Sequence, residues 1–360
     1  MATKLDISQL DFDGIKDNLK TFLSQQDEFT DYDFEGAGMN VLLDTLAYNT
    51  HYLAYNANML ANEMYLDSAD QRTSVVSLAK QVGYTPRSAN SAKATIDVVV
   101  NNASGAALTM ARGTKFTTTV DSTNYSFVNN SSVSITPIDG VFKFSNLDIY
   151  EGTYLNYKYT ANTTDTDQRF IIPNDNVDTT TLTVKIQESI SDSTTNTYTL
   201  AGGVTGIDST SKVYFLQEVE DGRFEVYFGD GVLGESIKDG NIVVLDYITC
   251  NRAEANGASS FTLSGSIGNF SNVTITTLNN AANGDDPETI KSIKYNAPRD
   301  YSAQERAVTA EDYKVLVKSL YANAQSVQVY GGEDAAIPDY GKVYISIKAK
   351  SGSNLALIDM

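Results

Sequence analysis

The stretch that decides the fold is MNVLLDTLAYNTHYLAYNANMLANEMYL, residues 39–66, in which apolar side chains recur with helical spacing. Eight positions follow alternating steps of four and three, and we call them the heptad face: Met39, Leu43, Leu46, Thr50, Leu53, Ala57, Leu60 and Met64. A heptad pattern kept over more than three heptads predicts a long helix with one continuous apolar seam. Thr50 and Ala57 are small and would allow a neighbouring helix to approach closely.

A second apolar row runs beside the first. We call it the tyrosine face, and its steps of four, three and four join Tyr48, Tyr52, Tyr55 and Met59. A helix that is apolar on two faces has neighbours on two sides. The pattern alone leaves two interpretations open: a helix packed twice within its own domain, and a helix bundled with other chains.

Shorter helices are expected on both sides of this one. Asp13 is the expected cap of the first, whose apolar stripe consists of Ile15, Leu19, Phe22 and Leu23. The third is expected from Ser68, as its cap, to Val82, with Gly83 and Pro86 ending it.

Residues 93–283 are rich in Thr, Ser, Asn, Val and Tyr, which is typical of strands. The predicted strands are Ala94–Val100, Lys115–Val120, Val141–Leu147, Leu155–Thr160, Leu182–Glu188 and Val213–Val219. Asp-Gly pairs at 139, 221, 230 and 239 predict hairpin turns. Three of them lie between Tyr214 and Thr249, which predicts an antiparallel meander there.

Charge and composition exclude several function classes. The net charge of −19 argues against a nucleic-acid partner and against docking on anionic lipid. One cysteine (Cys250) and one histidine (His51) exclude an internal disulfide and Cys-rich or multi-His metal sites. We found no motif for catalysis, cofactor or small-molecule binding, and no apolar run of the ~20 residues that cross a membrane. The sequence therefore predicts a non-enzymatic protein without cofactor or metal.

The charge is unevenly spread. Residues 1–70 hold thirteen acidic and three basic side chains, whereas residues 291–328 hold six basic and four acidic ones. Either these are two solvated faces, or the acidic end meets a basic surface on a partner. Near the basic segment, Asp286 is expected to cap a helix with Pro287 in its first turn.

Together these features predict an α+β, multi-domain chain. We expect a helical assembly segment at residues 1–90 and a β-rich region at 91–283, which would form two subdomains. Residues 284–360 are expected to form a mixed α/β segment.

Three groups of motifs resemble a known family. The first joins residues 36–50 with Asn62-Glu63, 71–75 and 83–87. The second joins Tyr227-Phe228-Gly229-Asp230-Gly231 with Gly234, Asp246-Tyr247 and 255–257. The third joins 284–289 with 297–299, 305–309 and Glu311-Asp312-Tyr313. As a set they resemble the baseplate wedge proteins of large contractile-tailed phages, relatives of the broader baseplate J family.

The resemblance implies a structural role in the virion. In that family, paired copies join a second wedge protein in a helical bundle, and neighbouring wedges link into a ring around the tail hub. The ring changes shape at the host, which releases sheath contraction. The implied partners are therefore a second copy and other wedge proteins, with assembly in the host cytoplasm and a final location in the tail baseplate.

Within the motifs, several residues are expected to have structural roles. Pro298 is expected to end a helix or turn, Thr309 to cap the next helix with Asp312 in its first turn, and Arg299 and Arg306 to anchor ion pairs. The motif residues we single out are Gly229, Asp230, Gly231, Pro298, Arg299, Arg306, Thr309, Asp312 and Tyr313.

Family members are usually longer than this chain. We therefore expect a fragment that lacks the ring-forming contacts between wedges, with a strand at Lys342–Lys350 that needs a partner and an apolar end at Leu355–Ile358. Two alternatives remain: a glycan-binding tail adhesin or depolymerase, and a baseplate component of a contractile injection system outside phages.

Overall fold

The computed structural model describes residues 11–25, 36, 38–165, 168–202, 206–303, 306–321, 324–334 and 337–349. Two compact units divide the chain, Met1–Gln81 and Val82–Met360, and each is described by itself. Helices come first, mostly antiparallel sheets fill the centre, and two helices followed by two strands lie near the C-terminal end. This confirms the α+β, multi-domain fold class.

The first unit contains three described helices: α1 (Phe12–Leu23), α2 (Gly38–Glu63) and α3 (Arg72–Gln81). At 1.5 Å per residue, α2 is about 39 Å long. Ile15 of α1 is buried, as are Leu43 and Ala47 of α2, because these two helices pack against each other. The periodicity of the sequence therefore found all three helices.

The helix caps differ from those expected. Asp11, and not Asp13, caps α1, since its Oδ1 accepts a hydrogen bond from the Gly14 N–H at 2.8 Å. The Ser68 hydroxyl donates back to the Asn62 carbonyl at 2.6 Å, so it closes the end of α2. The N-terminal end of α3 is capped instead by Glu63, which accepts from the N–H of Asp70 at 2.9 Å. A cap that comes from the preceding helix leaves no local sequence signal.

The second unit begins with two sheets that are interleaved along the chain. The strands are β1 (Lys93–Val100), β2 (Leu108–Met110), β3 (Lys115–Val120), β4 (Thr123–Asn129), β5 (Val133–Ile135), β6 (Phe142–Glu151), β7 (Thr153–Thr160), β8 (Phe170–Ile171), β9 (Val177–Ser189), β10 (Asp192–Leu200), β11 (Val213–Glu218), β12 (Phe224–Phe228), β13 (Ile242–Thr249), β14 (Thr262–Ser264) and β15 (Val273–Ala282). The six predicted strands are all present, with ends that differ by up to five residues.

The strand order places one sheet inside the sequence of the other. The first sheet has the order β14-β3-β4-β6-β1-β15, and the second has the order β7-β13-β9-β10-β11-β12-β8. Every strand of the second sheet lies between β6 and β14 in sequence, so the second sheet is an insertion into the first. Each has its own apolar core, around Phe116, Phe127 and Phe144 in the first and Leu245 and Tyr247 in the second.

Only part of the predicted meander forms. Asp221-Gly222 makes the tight turn between β11 and β12, with φ of 61° and 73°. After β12, which lies beside the edge strand β8, the chain crosses to the other end of the sheet, where β13 pairs with β7 and β9. The prediction of hairpin turns at Asp230-Gly231 and Asp239-Gly240 was therefore wrong. The Asp230 carboxylate accepts from the N–H groups of Val232 and Leu233, a local turn that suits a long loop as well as a hairpin.

The C-terminal part contains α4 (Ile290–Ala303), α5 (Ala310–Leu320), β16 (Ala324–Gly331) and β17 (Val343–Ala349). The strands β16 and β17 form an antiparallel pair, and β16 packs on α5 through Val327, Val329 and Val317. The predicted strand at Lys342–Lys350 thus has its partner in β16. The apolar residues Leu355–Ile358 lie outside the described residues.

Two expectations for α4 were wrong. Pro298 lies inside the helix and does not end it. Near Pro298, two side chains donate hydrogen bonds to backbone carbonyls of the helix: Arg299 Nη1 donates to the Tyr295 carbonyl, and Ser302 Oγ donates to the Pro298 carbonyl. At the start of α4 it is Thr289 Oγ1 that accepts from Ser292 N–H, whereas Asp286 pairs with Arg252.

Candidate functional site

The helix α2 carries the most exposed apolar surface in the first unit. Its side toward Asn40, Leu43 and Ala47 is buried. Leu43 was expected in the heptad face, but it is only 3% exposed and packs within its own unit. The reason is that α1 covers the first turns of α2 on this side.

The rest of the heptad face is open. The exposed fraction is 47% for Leu46, 62% for Leu53 and 69% for Leu60. Thr50, Ala57 and Met64 are also exposed, and Met39 is half-buried. Large apolar side chains thus lie in one row and mostly in solvent, and exposed apolar patches of this kind are typical of interaction surfaces.

The tyrosine face is open as well. Tyr48, Tyr52, Tyr55 and Met59 are all exposed, and the rings of Tyr48 and Tyr52 lie 5.6 Å apart. At roughly 100° per residue, the centres of the tyrosine and heptad faces lie about 160° apart on an ideal helix. The two apolar rows therefore lie on nearly opposite sides of α2.

Charged side chains are sparse on α2. Asp44 and Glu63 are its acidic residues, and it has no Lys or Arg. Lys16 of α1 forms an ion pair with Asp44, and Glu63 caps α3. Between these two residues the helix consists of apolar side chains, Asn, Thr and His51, so pairs of acidic side chains with Lys or Arg three or four residues apart cannot form within it. Its stability has to come from apolar packing.

Parts of the three motif groups come together in the second unit. We call three of their contacts the motif junction. Arg87 Nη2 donates to Asp285 Oδ2 at 2.7 Å, and the Tyr84 hydroxyl donates to Glu288 Oε2 at 2.8 Å. The third contact is reciprocal and joins Asn256 to the backbone of Gly284.

The motif junction explains why these residue types occur together. A Cβ on Gly284 would lie 2.2 Å from the Arg252 carbonyl oxygen, so only glycine fits there. Burial and the adjacent Glu288 carboxylate raise the pKa of Tyr84 well above its usual range, which keeps its hydroxyl a donor. These contacts thus connect three segments that are far apart in sequence: the one before β1, the one between β13 and β14, and the one before α4.

A second buried centre surrounds Asp246, and we call it the Asp246 cluster. Asp246 Oδ1 accepts from the Tyr154 hydroxyl at 2.7 Å and from Asn156 Nδ2 at 2.6 Å. Its Oδ2 accepts from Arg112 at 3.2 Å and from Lys185 at 3.0 Å. Arg112 lies between β2 and β3 and the other three residues lie on the second sheet, so this carboxylate connects the two sheets.

The electrostatics of the Asp246 cluster favour the charged carboxylate. Burial alone would raise the pKa of Asp246, but the hydrogen bonds from Asn156, Tyr154 and Lys185, with the charge of Lys185, hold that pKa below its usual value. Asp246 belongs to a sequence motif, but its role was not predictable, because its partners are distant in sequence.

The other motif residues have local structural roles. A Cβ on Gly229 would lie 2.2 Å from the Leu233 carbonyl oxygen, and Gly231 has φ of 87°. Arg299 lies over the Tyr295 ring, 3.6 Å from its centroid. The Arg306 N–H donates to the Ala303 carbonyl, and Tyr313 packs against the core beside β16.

The expected cap at Thr309 is confirmed, with Asp312 as its reciprocal partner. Thr309 Oγ1 accepts from the Asp312 N–H, and the Asp312 carboxylate accepts from the Thr309 N–H at 2.8 Å. This capping box fixes the start of α5.

The described residues contain no group of three or more His, Cys, Asp or Glu side chains that could hold a metal ion. Among the same residues, no helix is both long and apolar enough to span a membrane. Cys250 is buried, as expected, and burial raises the pKa of its thiol to about 11.

Models of protein families match three parts of the chain. The helical domain of gp6-like baseplate wedge proteins matches residues 11–84, and the third domain of bacteriophage baseplate wedge protein gp6 matches residues 157–257. C-terminal domain I of the baseplate structural protein gp6 matches residues 309–359.

Two known proteins are similar over most of the chain. Baseplate wedge protein gp6 of Enterobacteria phage T4 is 30% identical, over 96% of this chain and 55% of that protein. The chain therefore spans about half the length of this relative. A chain in the cryo-EM structure of the anti-feeding prophage baseplate is 10% identical, with a TM-score of 0.33, over 87% of this chain and 65% of that one. At that TM-score the structural similarity carries no argument.

The three matched domains and the gp6 relative agree with the resemblance seen in the motifs. Together they support the assignment of this chain as a baseplate wedge protein, a structural component located in the tail baseplate of a phage virion.

Proposed function

We propose that this chain is a non-enzymatic subunit that assembles through α2. In this proposal, α2 joins a helical bundle with α2 of a second copy and with another wedge protein, in the host cytoplasm before the tail is complete. The observation that carries the proposal is the open part of the heptad face, where Leu46, Leu53 and Leu60 are 47–69% exposed.

The physical argument concerns the free energy of burial. Each leucine that moves from water into an apolar interface contributes about 1.5–3 kcal/mol when it becomes fully buried. Leu46, Leu53 and Leu60 lie on one row, so a partner helix would cover them together. Thr50 and Ala57 lie between them and leave room for the partner's side chains.

The proposal extends to the tail's mechanical switch. A ring of wedges would hold one arrangement through its interfaces until contact with the host favours another. This subunit would take part in that rearrangement, which triggers sheath contraction. Membership of the broader baseplate J family stays a prediction.

The test uses charged substitutions in the heptad face. Leu46→Asp and Leu53→Asp each place a carboxylate in an interface that excludes water, which costs several kcal/mol. We expect both variants to fold but to fail to co-purify with the co-expressed wedge proteins of the same phage.

Ser77→Asp is the matched control, since Ser77 is exposed on α3 of the same unit. We expect this variant to assemble as the unchanged chain does. Normal complex formation by both leucine variants would contradict the role of the heptad face. Specific binding of a host polysaccharide by the purified chain would favour the adhesin alternative instead.

A further inference from the structure

The two sheets of the second unit are joined where the chain passes between them. The chain leaves the first sheet after Glu151, the last residue of β6, and it returns through Cys250 and Asn251, directly after β13. The two passages lie so close together that a Cβ on Gly152 would overlap the Thr249 carbonyl oxygen. Because each sheet has its own apolar core, polar contacts at these passages help to hold the sheets together.

Two buried carboxylates supply such contacts, and we call Glu151 and Asp178 the latch acids. Glu151 accepts hydrogen bonds from the N–H and from the side-chain amide of Asn251, each at 2.8 Å, so it connects the outgoing passage to the returning one. Asp178 of β9 accepts from the N–H of Ser91, just before β1, at 2.8 Å, and so connects the second sheet to the first. Thr180 donates its N–H and its hydroxyl to the other oxygen of Asp178.

The latch acids differ from Asp246 in the groups that donate to them. Each latch acid is only 1% exposed, yet its donors are backbone N–H groups, an amide or a hydroxyl, none of which carries a charge. Among the described residues, neither latch acid forms an ion pair, whereas Asp246 pairs with Arg112 and Lys185. Burial of a charge without a charged partner is unfavourable, so burial raises the pKa of both Glu151 and Asp178.

The groups that face Glu151 do not supply a positive charge. The Glu254 carboxylate repels the charge of Glu151 and raises its pKa further, and it accepts a hydrogen bond from the Tyr125 hydroxyl. The Cys250 thiol lies near both latch acids, and burial raises its pKa to about 11. It is therefore neutral at about pH 8 and below.

The surroundings of Asp178 are similar. Tyr150 lies near it, and burial raises the pKa of this phenol to about 12, so it is neutral over the same range. Arg252 belongs to the returning passage, but its guanidinium donates to Asn176 and forms an ion pair with Asp286. The charge of Asp178 is thus held by hydrogen bonds from uncharged groups.

We propose that Glu151 and Asp178 form a proton-operated latch between the two sheets: uptake of protons tightens the attachment of the second sheet to the first, and loss of these protons toward neutral pH loosens it. The latch is a property of the second unit and goes beyond assembly through α2. It would let the second sheet shift relative to the first while both apolar cores stay intact.

The direction of the effect follows from the raised pKa of both groups. Their contribution to the closed junction is complete below the ordinary pKa, which is 3.8 for Asp178 and 4.5 for Glu151, and it is lost as the pH rises through the folded-state pKa. Asp246 stays ionised over this range, because its pKa lies below 3.8. The single histidine of the chain, His51, belongs to the first unit, so no imidazole titrates within the second.

Hydrogen exchange of the full-length chain tests the latch at the two amides that donate to it, those of Asn251 and Ser91. Exchange is followed by mass spectrometry from about pH 5 to about pH 8, and the rate of an unstructured peptide at each pH is divided by the measured rate to give a protection factor. Glu151→Gln removes the charge but keeps the shape, since the Asn251 amide can turn over and accept from the new side-chain amide. Glu188→Gln is the matched control, because Glu188 is exposed on β9.

We expect the protection of both amides in the unchanged chain and in Glu188→Gln to fall by at least about threefold between about pH 5 and about pH 8. In Glu151→Gln, the Asn251 amide should be better protected at the upper pH than in the unchanged chain, with a smaller dependence on pH. The Ser91 amide should keep its dependence in that variant, because Asp178 still titrates.

Two results would overturn the inference. The first is protection that stays constant or rises from about pH 5 to about pH 8 in the unchanged chain, a result that needs no variant to fold. The second is an Asn251 amide that is no better protected in folded Glu151→Gln than in the unchanged chain at the upper pH. Neither result bears on the proposed function, which the heptad-face variants test separately.

Discussion

The helix α2 and the strand β13 are both rich in apolar residues, yet they differ in how far these side chains are exposed to solvent. Leu53 and Leu60 of α2 are more than 60% exposed, whereas Leu245 and Ile248 of β13 are fully buried. In β13 a charged residue, Asp246, is buried among them and has four hydrogen-bond donors. The second unit thus buries the apolar side chains of β13 in its own core, whereas α2 carries apolar surface that its own unit leaves uncovered.

The largest effect on stability is expected from breaking the Asp246 cluster. Asp246→Ala would remove a buried carboxylate with four donors and leave the partly buried Arg112 and Lys185 without it, which costs about 3–5 kcal/mol of unfolding free energy. Urea denaturation followed by intrinsic fluorescence measures the loss. As a control, Asp192→Ala removes an exposed carboxylate from β10 and should leave the urea midpoint nearly unchanged; equal losses would contradict the role of the cluster.

A matched pair of leucine truncations sharpens the comparison. Leu245→Ala removes a buried side chain and should lower the unfolding free energy by about 2–5 kcal/mol. Leu53→Ala should change it by no more than about 0.5 kcal/mol at dilutions where the chain is monomeric. A large loss of monomer stability in Leu53→Ala would show that Leu53 packs within its own chain, against the proposed function.

The Asp246 cluster also predicts a pH dependence. The folded-state pKa of Asp246 lies below its value of 3.8 in a model compound, so its contribution is complete above that pH. It is lost as the pH falls through the folded-state pKa. We expect the difference in unfolding free energy between the unchanged chain and Asp246→Asn to be constant at neutral pH and to shrink below about pH 4.

This difference isolates one group from the others that titrate. Burial raises the pKa of Asp178 and of Glu151, which acts on stability in the opposite sense, and both are present in both proteins. A difference that grows on acidification would contradict the ionised state of Asp246.

The smallest effect is expected at the helix cap of α5. Thr309→Ala removes the hydroxyl that accepts from the Asp312 N–H and should cost about 1 kcal/mol. Hydrogen exchange of the first-turn amides of α5 should become faster, whereas Thr309→Ser should retain the cap. Equal exchange in both variants would show that the capping box does not stabilise this helix.

The sequence predicted what depends on local spacing. The steps between Leu46, Leu53 and Leu60 were enough to place α2 and the apolar row along it, although not to show that this row is exposed, and alternation placed the six strands. The cap at Thr309 was also predicted, because the residues that form a helix start of this kind lie within four positions of one another in sequence.

Contacts between distant residues were missed. Glu63 caps a helix that begins nine residues later, and Asp246 draws donors from three other segments, which no periodicity indicates. Asp230-Gly231 was misplaced for another reason: the same dipeptide stabilises a hairpin turn and a turn within a loop, and only the pairing of β13 distinguishes them.

The central claim is that α2 carries an assembly surface, and the solution mass of the purified chain tests it most directly. Light scattering on a sizing column would be recorded for the unchanged chain and for Leu53→Asp, each alone and with the co-expressed wedge proteins. We expect the unchanged chain to form a dimer or a larger complex and Leu53→Asp to remain near the monomer mass of 39.1 kDa. A monomer of that mass for the unchanged chain, with no binding to any wedge protein, would contradict the account.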